Sequence, residues 1–433
     1  GGGGGGGGGG PNPPQPAAPP VAATGPAIAA GAGAAAAAKP RARRAPVTAA
    51  PPVAPLSVFG IGSWPRPRWL LQALHERLEG RLSEAEFEAT ADDAVRLAVG
   101  AQRRAGVDLL TDGEQRRDAY ASFVGSHLKN CTMIPLTDLL PLVDHPERLA
   151  AEFASLDVPA DRVRHPAVLG PLARREPFAL RELEFLRTLS PGPVKVAIPG
   201  PYLLTRMLWL ECVTDKAYAS REALAQDVVK VLREELFDLL DAGASIVQLD
   251  EPVLTEVVHA GRRGGRTFMC GALSERGEAE PELAFARDLF RAVTVGAPRE
   301  RLAIHVCRGN WTPDESAALT GDYGPLVAHL SALDVGAYLL ETCTPRAGEL
   351  EVLRGLPEAS RIGVGVVNPK SPTCEEVGEI EARVRRAVAL FGRDRVLVTT
   401  DCGFATFSDN PVCTAPLAEQ KLAAMSAAVL RVR

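Results

Sequence analysis

Residues 245–252 read Ser245-Ile246-Val247-Gln248-Leu249-Asp250-Glu251-Pro252: five residues that suit a short buried strand, closed at once by two acids and a proline. An amphipathic helical stretch, Asp215 to Asp241, runs up to it, and Gly243 stands between the two as a helix stop. Helix, glycine, buried strand and polar strand end together make one unit of a parallel α/β fold. The unit recurs along the chain. Eight such apolar runs occur after Pro55, at Ser57–Ile61, Val107–Leu110, Val194–Ile198, Ser245–Leu249, Leu302–His305, Ala337–Leu340, Arg361–Val367 and Arg395–Thr399. Glu84 to Arg104 precedes the second run and Glu375 to Phe391 the eighth, with Gly106 and Gly392 as their stops. Eight strands in roughly 380 residues predict a (β/α)8 TIM barrel with insertions, because a plain barrel needs about 250. The interval from Gln115 to Pro193 is the largest insertion, and His165–Leu172 with the residues after it suits a hairpin. Gly261–Gly271, rich in Gly and Arg, reads as a lid or a plain surface loop.

The 433 residues contain 41 glycines and 36 prolines, many of them in a Gly/Pro/Ala-rich stretch over residues 1–55 that cannot pack a core. This predicts a disordered extension over 1–55 and a barrel over 56–433. The extension has no acid and only the bases Lys39, Arg41, Arg43 and Arg44, which leaves 44 basic against 53 acidic residues, a charge of −9, on the remainder. Such a surface argues against nucleic acid or an anionic membrane as partner. The apolar runs are too short or too interrupted for a membrane span. A cytoplasmic location is expected, or an organelle if the basic leader is a transit peptide. Eight dispersed cysteines without a C-x-x-C framework suit a reducing compartment, where a special cysteine is a ligand or nucleophile.

The C-terminal strand ends of a barrel carry its active site, and here they carry the polar residues. Ser63 follows the first strand, Asp112 and Glu114 the second, Asp250 and Glu251 the fourth, and His305 and Cys307 the fifth. Glu341 follows the sixth, Asn368 and Lys370 the seventh, and Asp401 and Cys402 the eighth. His305 and Cys307 are two residues apart, so in a strand both face the same side while Val306 faces away. Imidazole with soft thiolate favours zinc, and Glu341 and Cys402 can complete the set. Cys343, Cys374 and Cys413 compete as ligands, whereas Cys131, Cys212 and Cys270 read as structural. The acids have plainer readings too: Asp250-Glu251-Pro252 as a helix-capping turn, Asp112-Gly113-Glu114 as a solvated turn. Gly363-Val364-Gly365 lacks the third glycine of a dinucleotide site.

Taken together, Ile61-Gly62-Ser63-Trp64-Pro65, Thr111-Asp112-Gly113-Glu114, Gln248-Leu249-Asp250-Glu251-Pro252, His305-Val306-Cys307, Glu341 and Asp401-Cys402-Gly403 resemble the catalytic half of the cobalamin-independent methionine synthase family. The order and spacing cover nearly everything after Pro55. The resemblance implies a zinc-dependent homocysteine S-methyltransferase in which His305, Cys307, Glu341 and Cys402 hold Zn2+. It implies that Glu114 and Asp250 hold the amino group of homocysteine, with Ile61, Ser63 and the adjacent backbone near its carboxylate. A thiol of pKa about 8.5 becomes a thiolate on zinc, which suits attack on an electrophilic methyl group.

Three departures qualify the resemblance. The full-length synthase resembles two barrels and this chain one, which leaves the donor open between a methylfolate and a methylated corrinoid. Lys370 stands where the synthase has a catalytic histidine, and general acid, anion binder and helix-side charge are all open roles for it. The His305–Asn310 and Cys402–Ala405 segments look more like short bacterial and archaeal-type relatives and the epoxyalkane:coenzyme M transferases. Alkyl transfer to coenzyme M is therefore one alternative. Others are Mg2+ lyase or enolisation chemistry on Asp112, Glu114, Asp250 and Glu251, and a non-catalytic barrel with structural zinc. Arg308 and Arg346 suit either a substrate anion or, more simply, salt bridges, and among Trp64, Trp209 and Trp311 the best placed to stack on a donor is Trp209, for which core packing is the plainer role.

Overall fold

The computed structural model describes residues 49–143, 164–259 and 277–433, with Gly1, Pro146, Glu147 and Ala150. Most of the 1–55 extension and the whole Gly261–Gly271 segment lie outside the described residues. The strands are β1 (Val58–Phe59), β2 (Leu128–Pro135), β3 (Arg164–Arg174), β4 (Lys195–Pro199), β5 (Ile246–Asp250), β6 (Leu302–Val306), β7 (Ala337–Leu340), β8 (Arg361–Val367) and β9 (Val396–Thr400). Seven of them form one curled parallel sheet in the order β1-β9-β8-β7-β6-β5-β4.

The expected second barrel strand, Val107–Leu110, does not form a ladder. It is hydrogen-bonded to both edges of the sheet: the Asp108 N–H donates to the Val58 carbonyl at 2.8 Å, and the Lys195 N–H donates to the Leu110 carbonyl at 2.9 Å. The Asp108 side chain also accepts the Val58 N–H, at 2.9 Å, so a carboxylate takes the place of a ladder carbonyl.

Helix Glu84–Arg104 matches its expected bounds and opens with a reciprocal capping box between Ser83 and Glu86. The helix expected from Asp215 starts later, at Arg221, because the Ser220 side chain accepts the Ala223 N–H as the cap. Asp215 sits instead in a short 3-10 turn. The last helix of the three runs Val377–Phe391. Gly243 ends its helix with φ 89°, which an L side chain rarely adopts.

His165–Leu172 is a strand, but it pairs backward: β3 runs antiparallel to β2, not to the residues after it. The following residues turn into helix Leu180–Leu189 because the buried Glu235 carboxylate accepts the N–H groups of Phe178, Ala179 and Leu180. Among the described residues no helix is long and apolar enough to cross a membrane.

Strand alternation gives the sheet two faces. Phe59, Ile246, Ala303, Ala337, Leu339 and Leu397 form an apolar cluster inside the curl, while Val247, Ile304, Val306 and Val398 join the larger core outside it. Two and four residues farther along the same inward rows stand Gln248, Asp250, His305, Cys307, Glu341 and Asp401. The apolar plug thus supports a polar layer at the strand ends. Gly363 and Gly365 belong to this interior. A Cβ at Gly365 would lie 2.0 Å from an Asp401 carboxylate oxygen, and one at Gly363 would lie 2.5 Å from Leu339.

Candidate metal and substrate site

β6 delivers His305 and the turn after it Cys307, and the end of β9 delivers Cys402. Their ligand atoms all lie within 4.8 Å of one another, and all three residues are buried. The His305 ring is aimed by its Nδ1, which donates to the Leu339 carbonyl at 2.9 Å and leaves the buried Nε2 with no hydrogen-bond partner. Such a backbone anchor fixes the tautomer of a metal-binding imidazole. A hydrogen bond from Cys402 holds the Cys307 thiol well below its ordinary range, against burial and with help from His305. The same bond, with burial, pushes Cys402 up. Two soft sulfurs and an orphaned imidazole nitrogen fit a metal such as zinc.

Glu341, the expected fourth ligand, is fully buried at the end of β7 but stands outside that group of three. One carboxylate oxygen accepts from Arg346 Nε at 2.8 Å; the other accepts the Arg308 N–H and Asn310 Nδ2, both at 2.8 Å. Burial works against its charge, yet Arg346 and Arg308 outweigh burial and hold its pKa low. The two arginines therefore serve the protein. Arg346 also pairs with Glu315, and the buried Arg308 guanidinium donates to the carbonyls of Gly321, Glu341 and Ala347. Lys370 is buried and donates from Nζ to the Asp314 carbonyl at 2.8 Å; burial and Arg346 lower its pKa. Next to Glu341, burial pushes Asp401 up to about 8, although its Oδ1 accepts the Thr342 and Cys343 N–H groups at 2.9 Å.

On the other side of the triad, Asp250 lines a cavity of about 40 Å3 with His305, Cys307 and Cys402. Glu114 is buried and carries a left-handed backbone, φ 55°, directly after Gly113 at φ 72°. Consecutive positive φ values at a non-glycine acid are a strained turn, of the kind found where a side chain must be aimed. Its Oε2 has no hydrogen-bond partner, and Arg117 Nη1 lies 4.0 Å away. Burial raises both Glu114 and Asp250. Ser63 Oγ accepts the Ala405 N–H at 3.2 Å and so keeps its own proton to give. Ile61 offers shape only, since its N–H goes to Thr400 Oγ1 at 3.1 Å and its carbonyl accepts from Lys195.

The two acids of Asp250-Glu251-Pro252 have separate jobs. Glu251 accepts the N–H groups of Tyr202 and Leu203 at 2.8 and 2.9 Å, capping helix Pro201–Leu208, while Asp250 faces the cavity. This removes an oxygen ligand from the magnesium alternative, and the only metal-ligating group of three among the described residues is His305, Cys307 and Cys402. The aromatic expectation also changes. Trp311, with Tyr120 and Phe407, lines the cavity, whereas Trp209 packs against the core and Trp64 packs edge-on against Phe404. Tyr120, Thr406 and Phe407 also line the cavity; they stand on loops just beyond the Glu114 and Cys402 motifs, and no pattern in their own letters marks them.

The family model of the cobalamin-independent synthase catalytic domain matches residues 56–141 and 148–426. A 5-methyltetrahydropteroyltriglutamate–homocysteine methyltransferase of Thermosynechococcus vestitus is 26% identical over 362 residues, covering 83% of this chain and 41% of that protein. A methionine synthase of Saccharolobus solfataricus is 25% identical over 375 residues, covering 86% of this chain and 93% of its own length. The chain therefore spans about two-fifths of the first relative and nearly all of the second. Among solved structures, a B12-independent methionine synthase from Shewanella sp. W3-18-1, in complex with selenomethionine, shares the fold at TM-score 0.64 and 23% identity, over 88% of this chain and 98% of that one.

Proposed function

Because the chain belongs to the cobalamin-independent synthase catalytic-domain family, we propose that it transfers a methyl group to the thiolate of L-homocysteine, forming methionine, with zinc as its metal. The carrying observation is the convergence of His305, Cys307 and Cys402 donor atoms within 4.8 Å beside Asp250. These three residues would hold the ion, with Glu341 the fourth candidate once its carboxylate is released from Arg308 and Asn310. When bound, zinc would deprotonate the substrate thiol and present it as a nucleophile near neutral pH.

The protein's own residues do the rest. Glu114 and Asp250 receive the ammonium, and the Ser63 hydroxyl donates to the carboxylate of the amino acid. Two partly desolvated carboxylates attract an ammonium far more strongly than they would in water. Lys370 takes the acid role toward the leaving group, its lowered pKa bringing the ammonium nearer a usable proton donor. Trp311, Tyr120 and Phe407 wall the cavity and exclude water from it. A complete (β/α)8 ring, with Val107–Leu110 as its eighth member, holds these residues on fixed strand ends. A methylfolate is the donor of choice: the Thermosynechococcus vestitus relative carries the folate in its name and the Shewanella structure is that of a B12-independent enzyme, which gives no support to a corrinoid. Turnover of L-homocysteine with methyltetrahydropteroyl-glutamates and with methylcobalamin tests both parts. Methionine from the folate alone supports the reading, and no methionine from either donor refutes it.

A further inference from the structure

Lys195 is a lysine in the wrong layer. It lies opposite Ile246 in the register of β4 and β5, at the level of the apolar plug, and is 1% exposed. The Phe59 ring centroid is 5.9 Å from its Nζ. A methionine would fill such a place without the cost of burying an ammonium. Instead the side chain reaches up one layer and donates from Nζ to two acceptors: the Ile61 carbonyl, and Gln248 Oε1 at 2.7 Å. Gln248 in turn donates from Nε2 to Asp250 Oδ1 at 2.6 Å.

A primary amide has a donor end and an acceptor end. The ammonium can face only the acceptor end, so Lys195 dictates that the donor end of Gln248 faces Asp250. Without the ammonium, the amide oxygen loses its partner, and the carboxylate alone is left to hold the amide. We propose that Lys195, acting through Gln248, is the positioning residue that sets Asp250 to receive the ammonium of an amino-acid thiol. The same ammonium grips the Ile61 carbonyl, in the turn that leads to Ser63. Asp250, Glu114 and Asp112 all act on Lys195, as does the buried Arg117. Burial lowers Lys195 to about 8, against the pull of these acids, which leaves it mostly charged at neutral pH.

The inference rests on the homocysteine reading and can fail separately from it. Titration calorimetry of the zinc-loaded full chain is run with L-homocysteine and with 4-mercaptobutyrate, the same thiol acid without its amino group. Wild type, Gln248→Leu and Lys195→Met are compared. The expected result is that homocysteine binding weakens at least about tenfold in either variant while 4-mercaptobutyrate binding stays within about twofold, because a charge-assisted contact is lost only for the aminated ligand. If Lys195→Met does not fold, Gln248→Leu gives the same comparison, since it keeps the lysine. A variant that discriminates between the two thiols as well as wild type does, or that weakens both alike, overturns the positioning role alone. Wild type that binds the two thiols equally overturns the ammonium reading of Asp250 and Glu114, and the inference with it.

Discussion

Gly62→Ala isolates the role of Glu114 without touching it. A Cβ at Gly62 would sit 2.2 Å from Glu114 Oε1 and 3.3 Å from its carboxyl carbon. Ordinary contact needs more than 3 Å, so the carboxylate must retreat by about 1 Å, a displacement that can cost on the order of 100-fold when it misplaces a binding group. Only the far end of the side chain has to move, and the strained backbone at Glu114 stays as it is, so the folding cost should stay below about 1 kcal/mol. The two effects therefore separate. Calorimetric titration with L-homocysteine should show affinity down by roughly 30- to 100-fold, about 2 to 3 kcal/mol, the value of one charge-assisted hydrogen bond. The urea midpoint should scarcely change. Unchanged homocysteine affinity in a folded Gly62→Ala protein would refute the assignment of Glu114 to the ammonium, and an affinity loss matched by an equal loss of stability would refute the separation.

Cys307→Ser and Cys402→Ser should each weaken zinc binding by at least about 100-fold, measured by competition with a chromogenic chelator, whereas Cys131→Ser should leave it unchanged. Trp311→Ala should raise the KM for the methyl donor by about 3- to 10-fold through lost ring contact, while Trp209→Ala should lower the melting temperature and leave that KM near wild type. Burial lowers His165 to about 4. Below pH 6.5 the unfolded chain binds a proton at this ring that the folded chain refuses, so the stabilisation present above 6.5 is lost as pH falls toward 4. This amounts to as much as about 3 kcal/mol. Urea unfolding of wild type and His165→Leu across that range should show a shallower acid loss in the variant, and parallel curves would exclude His165 as a source.

The parallel sheet is legible because its seven strands are short apolar runs bounded by glycine, proline or acids, and burial on both faces leaves that mark. Val107–Leu110 carried the mark and yet forms no ladder, since Asp108 uses its side chain where a strand would use its backbone. The pairing of β3 with β2 was hidden for a different reason. The choice between an upstream and a downstream partner is made by Glu235, about sixty residues farther on, which caps the next helix and takes the downstream residues away. The convergence of His305, Cys307 and Cys402 is legible because two-residue spacing on a strand puts side chains on one side, and strand ends meet at one rim. Glu341 was placed at the same rim, but no sequence pattern could show that Arg346, Arg308 and Asn310 would occupy its oxygens. The same limit hid Lys195: one charged letter in Val194-Lys195-Val196-Ala197-Ile198 gains meaning only from Gln248 on the neighbouring strand. Trp209 takes its plainer role and packs with helix Pro201–Leu208 against the core, while Trp311 is the tryptophan that lines the cavity.

If this triad holds a zinc ion to which the substrate thiol binds directly, the metal's ligand shell must gain a sulfur when homocysteine arrives. Zinc-edge X-ray absorption of the purified chain, recorded with and without L-homocysteine, tests it most directly. The expected spectrum without substrate shows two sulfur ligands, from Cys307 and Cys402, and a nitrogen from His305. Adding homocysteine should bring a third sulfur at about 2.3 Å. A protein that takes up no zinc, or a zinc shell that stays at two sulfurs with homocysteine at saturation, would contradict it.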